Sequence, residues 1–380
     1  MKREKLCFLS SATLFFLILF HAFPAMAQPA GEMDWKKTLT AAEEEKKVTI
    51  YGTASSSTRE DLTREFSRKY GIQLEFVSGR GSQIFAKLST ERQAELYLAD
   101  IYIGGATTPT TGFKPRGFLD PLKPLLVLPE VIDPTLWFGG KGLQFSDKEG
   151  QFVACPVLTA SNNYLSINPD LVKPGEIKAY SDLLNPKWKG KIIMNDPTTS
   201  GAGSRWFAVV ADQFMGLDFM RDLAKNEPVI TRDQRLQAEG LARGKYAVAL
   251  GVQPDIQAEF IAAGARVKTV IPTEGAWLGG GPGLIAYMNR APHPNAAKIF
   301  INWFVSKEGQ TVYSRSARAE SARLDVPTDH LFKEDLRVPG VKYFNSEAED
   351  FLIKKREYEK KWAKEIFGSL STGAKKKKKK

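Results

Sequence analysis

Cysteine is almost absent from this chain. Of 380 residues only two are cysteine, Cys7 and Cys155. Cys7 sits in a leader expected to be removed, so an internal disulfide is excluded from the mature fold. Stability must therefore come from burying a core. Roughly 345 residues exceed what a single core usually organises, which favours two lobes. Histidine is also scarce: His21 precedes the mature chain, leaving His293 and His330. The His-Glu-x-x-His zinc motif is missing, as are the Gly-x-Ser-x-Gly nucleophile elbow and a complete Walker phosphate loop. These absences weigh against an enzyme and against a resident metal or cofactor. Beyond Phe23 no apolar run approaches the roughly 20 residues of a spanning helix, so a membrane role must pass through a partner. The net charge of +11 is concentrated in Lys375 to Lys380 and in the leader, leaving a body of about +3 that is too mild for nucleic acid.

What is present begins with an export signal. Lys2, Arg3 and Lys5 form a positive end, Leu6 to Phe23 an apolar core, and Ala25-Met26-Ala27 a small-x-small cleavage site. Cleavage after Ala27 predicts a soluble, unanchored periplasmic product. Residues 371–380 read as a flexible Lys-rich tail.

From Val48 onward short apolar runs alternate with amphipathic segments, the α/β pattern of a sheet covered by helices on both faces. Val48 to Tyr51 reads as a buried strand. Leu62, Phe66 and Tyr70 then recur at helical spacing, with Ser57 and Glu60 offering a capping box and Gly71 a stop. Gln73 to Val77, Asp100 to Ile103, Lys191 to Asn195 and Ala247 to Gly251 repeat the strand pattern. A helix is expected from about Ser204 to Phe214. Phe152 to Asn168 and Arg266 to Pro272 are extended stretches that could carry the chain between lobes. The expected layout is therefore 28–155 in lobe 1, 156–270 in lobe 2, and 271–370 returning to lobe 1 with C-terminal helices. Asn345 to Phe367 reads as helical, with Tyr358, Trp362 and Ile366 on its apolar face.

Ligands of open α/β sheets bind where loops leave the carboxyl ends of strands. Five such loops are small and polar, around Thr53 to Ser57, Gly79 to Ser82, Gly104 to Thr108, Pro197 to Gly203 and Gly251 to Gln253. Hydroxyls and helix N-termini converging on one cleft would bind an anion. The same residue types are also what any turn or helix cap requires. The candidate contacts are Thr53, Ser55, Ser56, Ser82, Thr107, Thr198, Thr199, Ser200, Gly203, Gly251 and Gln253, with Arg80 and Arg205 able to add formal charge. Asn162, Tyr164 and Trp277 lie in or beside the extended stretches and could line one side of the cleft. Aromatic groups there would suit an organic anion with an apolar body. Cys155, ahead of Pro156 in an apolar strand, reads as a buried, inert thiol.

Several local sequences, in order, resemble the iron(III)-type extracellular solute-binding proteins of bacterial ABC importers. They are Ala99-Asp100-Ile101-Tyr102, the run Ser181 to Ile192, Asp196-Pro197, His293 to Lys298, and Ser306 to Gln310. The resemblance implies a two-lobed periplasmic binding protein fold of type II, with lobes joined by two crossovers and a ligand cleft between them. It also implies hinge closure and docking of a monomer onto an inner-membrane permease. Phenolate-dependent ferric members carry paired tyrosines in the second lobe, whereas none of the 11 tyrosines here adjoins another. Fe(III) favours hard oxygen donors and no cluster of Tyr, Asp, Glu and His is visible, so the expected cargo is a small anionic solute such as an organic anion, phosphonate or phosphorylated compound; the alternatives are ferric ion held with a synergistic anion, and a secreted enzyme or ligand sensor on the same fold.

Overall fold

The computed structural model describes residues 30–161, 165–199, 201–252 and 254–370. The export signal and the Lys-rich tail lie outside them. The strands are β1 (Lys47–Gly52), β2 (Gln73–Ser78), β3 (Ile101–Gly104), β4 (Leu119–Asp120), β5 (Val153–Ala154), β6 (Thr159–Ala160), β7 (Leu165–Ile167), β8 (Ile192–Asn195), β9 (Val229–Thr231), β10 (Val248–Leu250), β11 (Lys268–Thr269), β12 (Ala276–Gly279), β13 (Leu284–Met288) and β14 (Tyr343–Asn345). The α-helices are α1 (Ala30–Glu45), α2 (Ser56–Tyr70), α3 (Gly81–Gln93), α4 (Pro129–Ile132), α5 (Ala202–Val209), α6 (Gly216–Lys225), α7 (Gln234–Ala242), α8 (Pro254–Ala262), α9 (Pro294–Val305), α10 (Lys307–Ala317), α11 (Glu349–Glu357) and α12 (Ala363–Phe367).

Three sheets result. The first runs β2-β1-β3-β13-β4, with β5 also on β13. Strands β2, β1 and β3 are mutually parallel, and β13 returns antiparallel from far downstream. Every residue of β1 after Lys47 is buried, as expected of a strand covered on both faces. The second sheet runs β11-β7-β10-β8-β9, and the third is β14-β12-β6. The stretch Phe152 to Asn168, read from sequence as one extended crossover, thus feeds three sheets through β5, β6 and β7.

Each large sheet carries its own core. Ile50, Phe66, Ile103, Phe300 and Trp303 belong to the first, and Leu165, Met194, Trp206, Phe207 and Val248 to the second. Asp100, fully buried, joins β1, β3 and α9: it accepts from the backbone N–H of Thr49 and of His293, both at 2.7 Å, and lies 2.9 Å from the His293 ring. His293 is the residue that caps α9, as its place before Pro294 suggested.

Helix ends follow local chemistry with one shift. Helix α2 is capped by Ser55, whose hydroxyl accepts from the Thr58 N–H at 3.1 Å, so Ser57 lies inside the first turn and the expected Ser57–Glu60 box does not form. Gly71 closes the helix at φ 68°, returning its N–H to Ser67 at 2.9 Å. The helix expected from Ser204 begins earlier, at Ala202, and passes into a π-helical turn over Val210–Met215.

The start of α5 is pressed onto the end of β8. A side chain at Gly203 would place its first carbon 2.2 Å from the Asn195 carbonyl oxygen, and the Gly203 N–H donates to Asn195 Oδ1 at 2.9 Å. Backbone stands on both sides of that contact, so Gly203→Ala must push α5 off the sheet. We expect a loss of about 1–3 kcal/mol, read as a lower urea midpoint at unchanged slope.

Candidate functional site

The carboxyl ends of β3 and β8 open toward a cavity of about 910 Å³. It is lined by Thr107, by Thr159 to Ser161 of β6 and its exit, and by Gly201, Ala202 and Arg205 at the start of α5. Gly279, Gly281 and Pro282 close another wall, and Ala317 to Ala319, His330 and Lys355 complete the far side. A smaller pocket of about 280 Å³ adjoins it, sharing Thr107, Gly281 and Pro282 and adding Thr53, Tyr102 and Thr108.

Only some of the residues picked from sequence reach this space. Thr107 lines both cavities and Thr53 the smaller one. The Thr53 hydroxyl is already donated to Gly79 O at 2.9 Å. Ser55 caps α2, and Ser56 accepts from Arg59 Nη2 at 3.2 Å. Thr198 donates its hydroxyl to Asp196 Oδ1 at 2.6 Å, and Thr199 leans toward Asp196 O at 3.5 Å. Arg80, just before α3, and Ser82, in its first turn, are exposed. Gly203 and Gly251 pack against each other, a side chain at Gly251 falling 3.3 Å from Gly203 Cα. Trp277 is 1% exposed and belongs to the second core. None of these beyond Thr53 and Thr107 lines either cavity. Asn162, Tyr164, Ser200 and Gln253 lie outside the described residues. Hydroxyls at helix starts went where the backbone needed them.

The charged part of the wall includes Arg205, which the sequence offered as a formal charge, and residues that it did not. Glu347, just before α11, is buried, and its Oε1 accepts from Arg205 Nη1 at 2.6 Å and from the Gly280 N–H at 3.0 Å. Ser346 Oγ accepts from Arg205 Nη1 at 2.7 Å and donates to Leu278 O at 2.8 Å. Arg205 therefore ties α5 to the segment entering α11 while lining the cavity. Lys355 lines it too, yet is only 8% exposed. Burial, and then the like charge of Arg205, press its ammonium down to about 8, against weaker opposing pulls from Glu359 and Glu347. Keeping it charged near neutral pH costs the unliganded fold about 3 kcal/mol. Nothing in the sequence marked Lys355: it is one lysine in a charged helical tail.

One arrangement imitates catalytic machinery. His330 Nε2 lies 2.9 Å from Ser314 Oγ, and its Nδ1 lies 3.8 Å from Asp329 Oδ1. Ser314 is 1% exposed and donates to Ala319 O at 2.7 Å, while Asp329 is held by Arg315 at 2.8 Å. A hydroxyl that faces a carbonyl and lacks access to substrate is no nucleophile; the group fastens the end of α10. Cys155 is fully buried, and desolvation raises its thiol far from the thiolate range. Among the described residues no three of His, Cys, Asp and Glu are placed to hold a metal ion.

A model of the bacterial extracellular solute-binding protein family matches residues 61–339, most of the chain. The chain belongs to that family. An uncharacterized protein of Haemophilus influenzae is 26% identical over 274 residues, covering 70% of this chain and 74% of its own. Among solved structures, the periplasmic binding protein AfuA from Actinobacillus pleuropneumoniae, with fructose-6-phosphate bound, superposes with a TM-score of 0.59 at 22% identity, over 84% of this chain and 98% of AfuA. IdiA (FutA) of Trichodesmium, in complex with iron and citrate, gives 0.61 at 17% identity, over 85% and 99%. The solute-binding protein described here thus has the two-lobed α/β architecture of type II periplasmic binding proteins, as the sequence resemblance implied.

The ion pair inside its cleft wall can be weighed directly. Glu347→Ala would leave the partly buried Arg205 without its carboxylate and the buried Lys355 with one opposing charge fewer. We expect a loss of about 3–5 kcal/mol, measured by urea unfolding, with Glu347→Gln intermediate.

Proposed function

We propose that this solute-binding protein captures a small anionic solute in the cavity between its lobes and delivers it to an inner-membrane ABC permease. The observation that carries the reading is the first turn of α5. Gly201 and Ala202 present the helix N-terminus to the 910 Å³ cavity, and Arg205 follows one turn later on the same wall. The positive end of a helix, with a guanidinium beside it, favours a negative group in a space sized for a small organic solute. The bound sugar phosphate of AfuA is consistent with this class of cargo.

In this reading lobe 1 is 28–155 with the return within 271–370, whose C-terminal helices pack on the second core, lobe 2 is 156–270, and β6 and β12 carry the hinge. The solute touches both lobes only when they close, and so stabilises the closed state. Export follows cleavage after Ala27, and the monomer works without catalysis.

Native mass spectrometry of protein purified gently from periplasm, followed by thermal shifts, tests the proposal. The panel holds fructose 6-phosphate, a phosphonate, citrate and a ferric salt. An organic anion that co-purifies and raises the melting temperature is the expected result. A visible-wavelength colour and an iron adduct without an organic anion would overturn the cargo class, and a chemically altered ligand would overturn the non-catalytic role.

A further inference from the structure

Helix α11 lies beyond residue 339, where the family match ends. It is nevertheless built into both lobes. Phe351 belongs to the second core and the next residue, Leu352, to the first. Glu349 bonds Lys114 Nζ at 2.8 Å and the Lys148 N–H at 2.9 Å on the first-lobe side. On the other side Lys354 pairs with Asp212 at 3.7 Å, and Tyr358 donates to the same carboxylate at 3.0 Å. Lys355 is thereby held in a fixed place on the cavity wall.

Its charge is not balanced there. The Glu347 carboxylate is engaged by Arg205 and by the Gly280 N–H. Glu259, which also lines the cavity, is bound to Arg235 at 2.8 Å. The Lys355 ammonium makes no hydrogen bond or ion pair with a described residue, although the side chain is more than nine-tenths buried. Burying a cation without a partner is costly, and the fold tolerates it on the one surface where a ligand would supply the partner. Lys355, Arg205 and Arg356 against the carboxylates of Glu359 and Glu347 leave the cluster a negative charge short.

We propose that Lys355 is the residue that pairs with the oxyanion of the bound solute, so that charge recognition in this protein comes from α11 rather than from the strand-edge loops. The inference rests on the anionic cargo proposed above. It specifies an oxygen-borne negative group, phosphate or carboxylate, placed between Lys355 and the α5 N-terminus. The charged groups around the ammonium are Arg205, Glu347, Glu359 and Arg356, with Arg318, His330, Glu259 and Asp335 on the cavity wall.

The test compares wild type, K355M and K355R by calorimetric titration with inorganic phosphate, fructose 6-phosphate and citrate, and by melting without ligand. For the tightest wild-type probe we expect K355M to weaken binding about tenfold to a hundredfold and K355R to recover most of it. Free Lys355 titrates near 8, and an anion binds its protonated form. Wild-type affinity should therefore hold below pH 8 and fall by up to about tenfold per pH unit above it, a fall that K355M loses. Unliganded K355M should melt no lower than wild type at pH 7, because the buried charge is gone. Equal affinities and pH profiles in wild type and K355M would overturn the role of Lys355 while leaving the anionic cargo standing. A K355M protein that melts well below wild type would overturn it as well, marking a structural cation. Wild type that binds none of the three anions would remove the cargo reading and this inference with it.

Discussion

The site depends on one buried carboxylate. Glu347 gathers Arg205 from α5, the Gly280 N–H from the turn between β12 and β13, and the entry to α11. Those three segments are the helix after β8, the turn after β12 and the C-terminal region, far apart in the chain. Beside the Glu347 carboxylate Ser346 Oγ bridges Arg205 and Leu278 O, so the carboxylate and the neighbouring hydroxyl together set the register of the cavity wall. A buried ion pair is weak evidence for net stability, but it is strong at specifying which elements lie side by side. Here it fixes how the helix that presents its N-terminus to the cavity stands against the helix that presents Lys355.

Much of the scaffold was legible from sequence because it obeys local rules. The strands near Val48, Ile101, Ile192 and Val248 are short, largely apolar runs bounded by turn residues, the one near Gln73 mixes apolar and polar positions, and each became a strand. Gly71 and His293 ended and began helices for reasons visible within a few residues. What was not legible depends on partners distant in the chain. The third sheet joins β6, β12 and β14, segments separated by more than a hundred residues at each step but one, and none has a distinctive pattern of its own.

The candidate site followed the same division. Thr53 and Thr107 were found by the rule that ligands meet strand ends, and both line the cavities. Ser55, Thr198 and Gly203 obeyed the same rule in sequence, but their polar groups are taken by Thr58, Asp196 and Asn195. A hydroxyl at or just before a helix start has a ready local partner, so whether any donor is left for a ligand depends on the fold around it. Lys355 shows the converse. Its meaning lies in its burial, the like charge of Arg205 and the open cavity, which depend on segments distant in the chain.

The insertion of Phe351 and Leu352 into different cores has a mechanical corollary. Adjacent residues on a helix advance only about 1.5 Å along its axis, so the two lobes are riveted to the same short piece of rigid rod. Any rotation of one lobe against the other must pivot close to that rod or tear a large apolar side chain from its socket. Helix α11 therefore couples the packing of the two cores at the place where Lys355 faces the cavity.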